Sequence, residues 1–141
     1  VGPRSCYVRP PALTEYDPRN PVFQAPYRKI KDQVKLPLTE CLKDTVARVA
    51  PYFDEVIRPR MEAGDRVLIA AHGNSIRALR KHLEGISDTE IAGMNVPTGI
   101  PLVYHLNPDF TVHDVSYLGD QEAIQAKINA VKNQSACSAK K

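Results

Sequence analysis

Apolar residues between Thr39 and Gly64 recur at steps of three and four, the spacing of one face of an amphipathic helix. They are Leu42, Val46, Val49, Phe53, Val56 and Ile57. We therefore predict a helix over about residues 40–63 that Thr39 caps and Gly64 ends. Pro51 or Pro59 is expected to bend it.

A short apolar run follows that helix directly. Residues 66–71 read RVLIAA, come straight after a turn and lack helical spacing. Such a run is typical of a parallel strand that is buried on both faces. Beyond it, Ile76, Leu79 and Leu83 predict a second short helix that Gly85 ends. The order helix, strand, glycine turn and helix indicates the α/β class.

The remaining pattern predicts a short helix, a hairpin and a last helix. Ser87 and Glu90 have the spacing of a capping box for a helix from Asp88 to about Met94. The segments LVYHL and TVHDVSYL flank the turn 107–110 and are expected to pair as a hairpin at a sheet edge. The last helix is predicted to begin at Asp120. Its residues expected to face the core are Ala123, Ile124, Ala126, Ile128 and Val131.

These elements divide the chain into three regions. Residues 1–38 hold more than half of the twelve prolines and little periodicity, so most of this region must be extended or looped. Residues 39–132 carry the periodic segments and are expected to form the α/β domain. Residues 133–141, NQSACSAKK, are predicted to be a mobile polar tail.

The composition is that of an ordinary globular domain, with 141 residues, 43% hydrophobic and 25% charged. No run is long and apolar enough for a membrane span, and the start lacks a signal-peptide core, so we expect a cytoplasmic protein without a membrane partner. A net charge of +3 without a dense basic cluster favours a small anion over nucleic acid as partner. The three cysteines lie far apart in sequence and are expected to be free thiols.

The candidate chemistry centres on His72, Gly73 and Asn74, which follow the predicted strand and precede a predicted helix. Open α/β sheets bind ligands at this position, and the N–H groups at a helix N-terminus favour an anion. There His72 could donate to a phosphoryl group or act as a nucleophile. A lone histidine beside a glycine turn is also commonly a structural hydrogen-bonding residue, and both interpretations stay open.

Other polar residues favour structural interpretations. Arg77, Arg80 and Lys81 could extend a positive field to the His72 turn, but their helical spacing favours a solvated face. Glu40 and Asp44 are expected in the first turn of a helix, where the positive end of the helix dipole favours carboxylates.

Three kinds of active site lack their motifs. The other histidines, His82, His105 and His113, have no metal-ligand spacing, so no metal is expected. Ser75 lacks the frame of a hydrolase elbow, and no Walker-type phosphate loop occurs.

The central segment reads VLIAAHGNSIRALRKHLEGISDTEI, with LPLTECLKDTVARVAPYFDEVI upstream of it and NVPTGIPLVYHL and YLGDQEAI downstream. Together these segments closely resemble the second half of 2,3-bisphosphoglycerate-dependent phosphoglycerate mutases, which belong to the histidine phosphatase superfamily. The resemblance covers nearly all of residues 36–132. It implies a three-layer α/β/α fold with a mostly parallel sheet, here incomplete. It also implies interconversion of 3- and 2-phosphoglycerate in glycolysis and gluconeogenesis through a phosphohistidine. The cofactor would be 2,3-bisphosphoglycerate, with no metal, in a homodimer or homotetramer.

The resemblance also implies roles for particular residues. His72 matches the family's second active-site histidine, which is not phosphorylated and stabilises the phosphoryl group in transit. Gly73 and Asn74 match positions that contact the ligand's anionic groups. Arg4 matches the second residue of a substrate-binding arginine pair. The chain departs from the family nearby, because Pro3 replaces the first arginine, and Cys6 and Tyr7 stand where the family has Tyr-Asp.

No Arg-His-Gly motif occurs in the 141 residues, so the family's nucleophilic histidine is missing from them, as is its proton-donating glutamate. We therefore expect a C-terminal half that folds poorly alone. Three functions stay open: a phosphoglycerate mutase, a broad-specificity histidine phosphatase, and a catalytically silent fragment that binds anions or a partner chain. The segments TGIPLVYHL and LGDQEAI favour the mutase over the phosphatase.

Overall fold

Packed helices and a two-stranded β-hairpin make up the described part of the fold. The computed structural model describes the backbone of residues 6–137 and the side chains of residues 6–130. In chain order the elements are a 3₁₀ turn (Pro21–Phe23), α1 (Ala25–Arg28), α2 (Leu42–Tyr52), a π-helical turn (Phe53–Ile57), α3 (Arg58–Glu62), α4 (Gly73–Glu84), α5 (Asp88–Gly93), β1 (Leu102–Leu106), β2 (Val112–Tyr117) and α6 (Gln121–Cys137).

The helix predicted over residues 40–63 is confirmed as the continuous run of α2, the π-helical turn and α3. Gly64 follows it with a φ of 92°, which suits the expected left-handed helix end. The predicted cap is wrong, because Cys41 stands at the N-cap position. Thr39 Oγ1 instead donates a hydrogen bond to the Pro10 carbonyl at 2.6 Å, so its hydroxyl is engaged by the proline-rich segment.

The core lies between α2 and α4. Its buried residues are Cys6, Leu42, Ala78 and Ile91, with Val46, Val49, Ile86 and Met94 packed against them. Ala78 is fully buried, whereas the predicted inward residues of α4, which are Ile76, Leu79 and Leu83, are half-buried. An alanine at the contact lets the two helices approach closely. This layer positions the first turn of α4, where the candidate site lies.

The predicted buried strand over residues 66–71 is not formed. The segment has no regular secondary structure, all six residues are exposed, and Leu68 is 91% exposed. A parallel strand needs neighbours that satisfy its backbone N–H and C=O groups, and among the described residues none pairs with this segment. The described part of the chain therefore lacks the expected three-layer arrangement with a mostly parallel sheet.

The predicted hairpin is confirmed, although it forms a two-stranded antiparallel sheet rather than the edge of a larger one. Leu102 pairs with Tyr117, and the register shifts by a bulge after His105. Phe110 closes the turn with a φ of 67°, and its N–H donates to the Asn107 carbonyl at 2.8 Å. The guanidinium of Arg58 lies 4.5 Å from the centre of the Phe110 ring, which connects the hairpin tip to α3.

The final helix begins as predicted, with the Asp120 carboxylate accepting from the backbone N–H groups of Glu122 and Ala123 at 2.9 and 3.1 Å. Of its predicted inward residues, Ile124 is buried, Ile128 is half-buried, and Ala123 and Ala126 are exposed; the side chain of Val131 lies outside the described ones. Residues 133–137 are helical and residues 138–141 lie outside the described chain, so the mobility of the tail stays a prediction. Within residues 6–137 no helix is both long and apolar enough to cross a membrane.

The proline-rich region is mostly irregular over its described residues, 6–38. Its regular structure between residues 6 and 38 is limited to the 3₁₀ turn and the single helical turn α1. Asn20 is buried there; it accepts from the Val22 N–H at 3.1 Å and donates to the Glu15 carbonyl at 3.2 Å. Arg4 and Pro3, singled out from the sequence, lie outside the described residues.

Candidate functional site

His72 is the N-cap residue of α4, which begins at Gly73 rather than near Ile76. Its backbone is extended, and its carbonyl accepts the first helical hydrogen bond from the Ile76 N–H at 3.1 Å. Its Nδ1 accepts from the Asn74 N–H at 3.2 Å. Because Nδ1 is an acceptor, the neutral imidazole carries its proton on Nε2. The exposed ring therefore offers a donor to a ligand.

The backbone beside His72 leaves room for that ligand. A Cβ placed on Gly73 would meet no atom within 4 Å. The first-turn N–H groups of a helix have no intrahelical partner, and those of Gly73 and Ser75 join the Nε2–H of His72 as donors at this end of α4. The positive end of the helix dipole further favours an anion. The anion preference expected for His72, Gly73 and Asn74 stays a prediction.

The Asn74 side chain is held by Arg77, one turn further along α4. Arg77 Nη1 donates to Asn74 Oδ1 at 3.3 Å. Arg77 Nη2 donates to the backbone carbonyls of Ile91 and, at 3.1 Å, of Ala92. Arg77 was predicted to face solvent, and this is wrong, because its guanidinium packs against the last turn of α5. Helical spacing alone contains no sign of that long-range contact.

Arg80 is likewise directed inward. Its guanidinium binds the Glu84 carboxylate at 2.8 and 3.1 Å, and both side chains are less than one-fifth exposed. It also donates to Tyr117 Oη at 3.3 Å, while Tyr104 Oη donates to Glu84. Burial and the Glu84 carboxylate raise the pKa of Tyr104 well above its usual value. These side chains join α4 to the hairpin, so Arg80 has a structural role.

Lys81 also turns away from solvent. Its Nζ lies 2.9 Å from the Asp88 carboxylate and donates to the Ile86 carbonyl at 2.6 Å. Tyr7 also donates to Asp88, and this hydrogen bond lowers the pKa of the carboxyl group. The prediction of a solvated face is therefore wrong for Lys81 as well. Lys81 and Tyr7 together hold the start of α5.

Asp44 lies in the first turn of α2, as predicted, whereas Glu40 precedes the N-cap residue Cys41 and lies outside that turn. The Asp44 carboxylate accepts from the Cys41 N–H at 2.9 Å and from Arg9 Nε at 2.7 Å. The hydrogen bond from Arg9 holds the pKa of Asp44 well below its usual range. Glu40 pairs with Arg48 at 2.7 Å. Neither carboxylate belongs to an acid/base pair.

Among the described residues, Cys6, Cys41 and His82 have structural contacts. Cys6 and Cys41 are free, buried thiols, as predicted, and burial raises the pKa of Cys6; the Cys137 side chain lies outside the described ones. His82 Nε2 lies 3.1 Å from the Asp54 carboxylate, and its ring contacts Phe53 edge to face. Across the described residues, the potential metal ligands His, Cys, Asp and Glu do not gather in groups of three or more.

Two open clefts lie elsewhere on the surface. One, of about 560 Å³, is lined by the proline-rich residues 10–14 and by residues 38–40. The other, of about 610 Å³, is lined by Tyr52 and Val56 of the helical run and by residues 65–68. The His72 turn lines neither cleft, and the His72 side chain is exposed.

Comparison with known proteins places this turn within a recognised family region. Residues 13–110 match the Histidine phosphatase superfamily (branch 1). Relatives from Treponema denticola and Lachnoclostridium phytofermentans, both named 2,3-bisphosphoglycerate-dependent phosphoglycerate mutase, are each 55% identical over 131 residues. These matches cover 93% of this chain but 53% and 52% of the relatives. The chain thus spans about half the length of the curated relatives it matches.

Proposed function

The chain belongs to the histidine phosphatase superfamily. We propose that it is part of a 2,3-bisphosphoglycerate-dependent phosphoglycerate mutase, an enzyme that interconverts 3- and 2-phosphoglycerate. The observation that carries this proposal is the 55% identity to mutases over 93% of the chain. The hydrogen-bond donors at the His72 turn support it, because substrate and cofactor are both anionic. The whole enzyme would be a cytoplasmic homodimer or homotetramer of glycolysis and gluconeogenesis.

In this function His72 stabilises the phosphoryl group in transit. Its Nε2–H donates to a phosphoryl oxygen, and a proton on the ring adds positive charge where negative charge must be held. Gly73 supplies a backbone N–H, and Asn74 supplies a side-chain amide to an anionic group of the substrate. Arg4 would hold a carboxylate or phosphate in a bidentate contact.

The covalent step requires residues outside these 141. A phosphohistidine forms on a nucleophile, and the sequence contains no Arg-His-Gly motif. We propose that the nucleophilic histidine is supplied by other residues of the complete enzyme. His72 then acts on a phosphoryl group that another histidine carries.

The cofactor fits the His72 turn by its charge. The open space at Gly73 and the donors of His72, Gly73 and Asn74 can hold one phosphate or carboxylate of 2,3-bisphosphoglycerate. When bound, this cofactor supplies the phosphoryl group that primes the enzyme. The donor set consists of hydrogen-bonding groups and requires no metal.

The test is a ³¹P NMR assay with 3-phosphoglycerate and 2,3-bisphosphoglycerate. It compares the 141-residue chain alone with the same chain plus the part of the Treponema denticola relative that lies outside the match. We expect the 2-phosphoglycerate signal to grow only in the second sample, and only when that part retains its nucleophilic histidine.

The same spectra separate the alternatives. If the signal of inorganic phosphate grows and no 2-phosphoglycerate signal appears, the protein is a phosphatase and not a mutase. Unchanged spectra in both samples would favour the silent anion-binding fragment, for which the absent Arg-His-Gly motif argues. Turnover by the chain alone would rule that fragment out.

A further inference from the structure

Arg77 connects the His72 turn to the end of α5. Its Nη1 donates to Asn74 Oδ1, while its Nη2 donates to the carbonyls of Ile91 and Ala92. Ile91 and Ala92 are 0% and 8% exposed, so their backbone is fixed within the core. Carbonyls at a helix C-terminus carry partial negative charge, which favours a guanidinium there. Arg77 is therefore anchored at α5 and reaches Asn74 from a fixed position.

The chemistry of this contact sets the direction of the Asn74 amide. A guanidinium has donors and no acceptor, so only the Oδ1 side of an amide can face it. The two Nδ2 hydrogens then point away from Arg77, and Asn74 is exposed. A bound phosphate or carboxylate needs donors. The Arg77 contact thus selects the amide orientation that binds an anion.

We propose that Arg77 is a positioning residue for the anion site, which holds the Asn74 amide with Nδ2 directed at the ligand. This inference rests on the proposed function, because it takes Asn74 to contact an anionic group of the substrate. Lysine cannot replace arginine here. Its single ammonium nitrogen keeps the charge but cannot reproduce a planar fork that spans the Asn74 amide and two carbonyls.

The test compares Arg77→Lys with Arg80→Lys in the full 141-residue chain. Arg80 is the matched control, because it lies on the same helix and binds Glu84 and Tyr117 instead. The first measurement is the order parameter of the Asn74 Nδ2 group by ¹⁵N relaxation, without ligand. The second is the Kd for inorganic phosphate, followed on the same resonance. Arg77→Gln, which keeps a donor amide, repeats both measurements if Arg77→Lys fails to fold.

We expect Arg77→Lys to lower the order of the Asn74 side chain and to raise the Kd for phosphate about fivefold, as loss of one oriented hydrogen bond would. Arg80→Lys should leave both within about twofold of the unmodified chain. Equal loss of order in both variants, or none in Arg77→Lys, would overturn the proposal. If phosphate never shifts the Asn74 resonance, Asn74 is not an anion ligand and the positioning proposal fails, whereas the proposed function is decided separately by the ³¹P NMR assay.

Discussion

At the scale of single residues, His72 combines two tasks on one ring. Nδ1 accepts from the Asn74 N–H and starts α4, while Nε2 is left as the outward donor. Protonation of Nδ1 would add charge for a phosphoryl group but would remove the acceptor that caps the helix. On the neutral ring the cap uses Nδ1 and the outward donor is Nε2, so that form alone serves both the catalytic and the structural interpretation.

The two tasks are separable by substitution. In the assembled enzyme, His72→Ala should lower kcat by at least about a hundredfold, with KM changed less, because the donor acts mainly in the transition state. It should also cost about 1 kcal/mol of unfolding free energy through loss of the cap. His72→Asn should restore most of that stability and none of the rate, because asparagine caps helices well. Steady-state kinetics and urea unfolding measure both. A loss in kcat below about threefold for His72→Ala would remove its catalytic role.

At the scale of elements, the predictions that held depend on local signals. The capping box of Ser87 and Glu90 is present at the start of α5, with Glu90 N donating to Ser87 Oγ at 3.2 Å. The glycine after α4 has the expected positive φ, and the hairpin turn closes at Phe110. Each of these signals lies within a few residues of the structure it specifies.

The predictions that failed depend on distant partners. Residues 66–71 have the composition of a buried strand, but a strand also requires neighbours, which the segment itself does not encode. The sequence spacing of Arg77 and Arg80 predicts a solvated helix face. In the fold, α5 contacts Arg77 and the hairpin contacts Arg80. The Arg77 contact, which carries our inference on the site, could not be read from helical spacing.

The junction between α4 and the hairpin provides a test at this scale. Tyr104→Phe removes the hydroxyl that donates to Glu84 and should lower the unfolding free energy by about 1 kcal/mol. Tyr117→Phe is the matched control, because its hydroxyl contacts Arg80 at a longer 3.3 Å and should cost less. Urea unfolding of the two variants measures the difference. Equal losses would mean that the Glu84 contact does not hold the hairpin.

At the scale of the whole molecule, the chain exposes more surface than its mass predicts. Its accessible surface is 10,445 Å² at 15.7 kDa, whereas a compact monomer of that mass exposes about 7,300 Å². The buried core is correspondingly small, with eight hydrophobic residues among those described. That the chain folds poorly alone stays a prediction.

The excess surface predicts weakly cooperative unfolding. The m-value in urea scales with the area exposed on unfolding, so the 141-residue chain should have an m-value below that of a compact domain of equal length. Addition of the remaining part of the Treponema denticola relative should raise it if the two parts bury a joint core. Circular dichroism during urea titration measures both samples. An m-value typical of a compact domain for the chain alone would contradict the prediction.

The exposed segment 66–71 is available for contacts between protein molecules in a concentrated solution. It is aliphatic from Val67 to Ala71, has no proline and carries one charge, at Arg66, which is the composition of segments that stack as cross-β fibrils. A net charge of +3 spread over the whole surface provides little repulsion against such stacking. We therefore expect Leu68→Lys, which places a charge at a residue that is 91% exposed, to raise the concentration at which the protein clouds, as turbidity would measure.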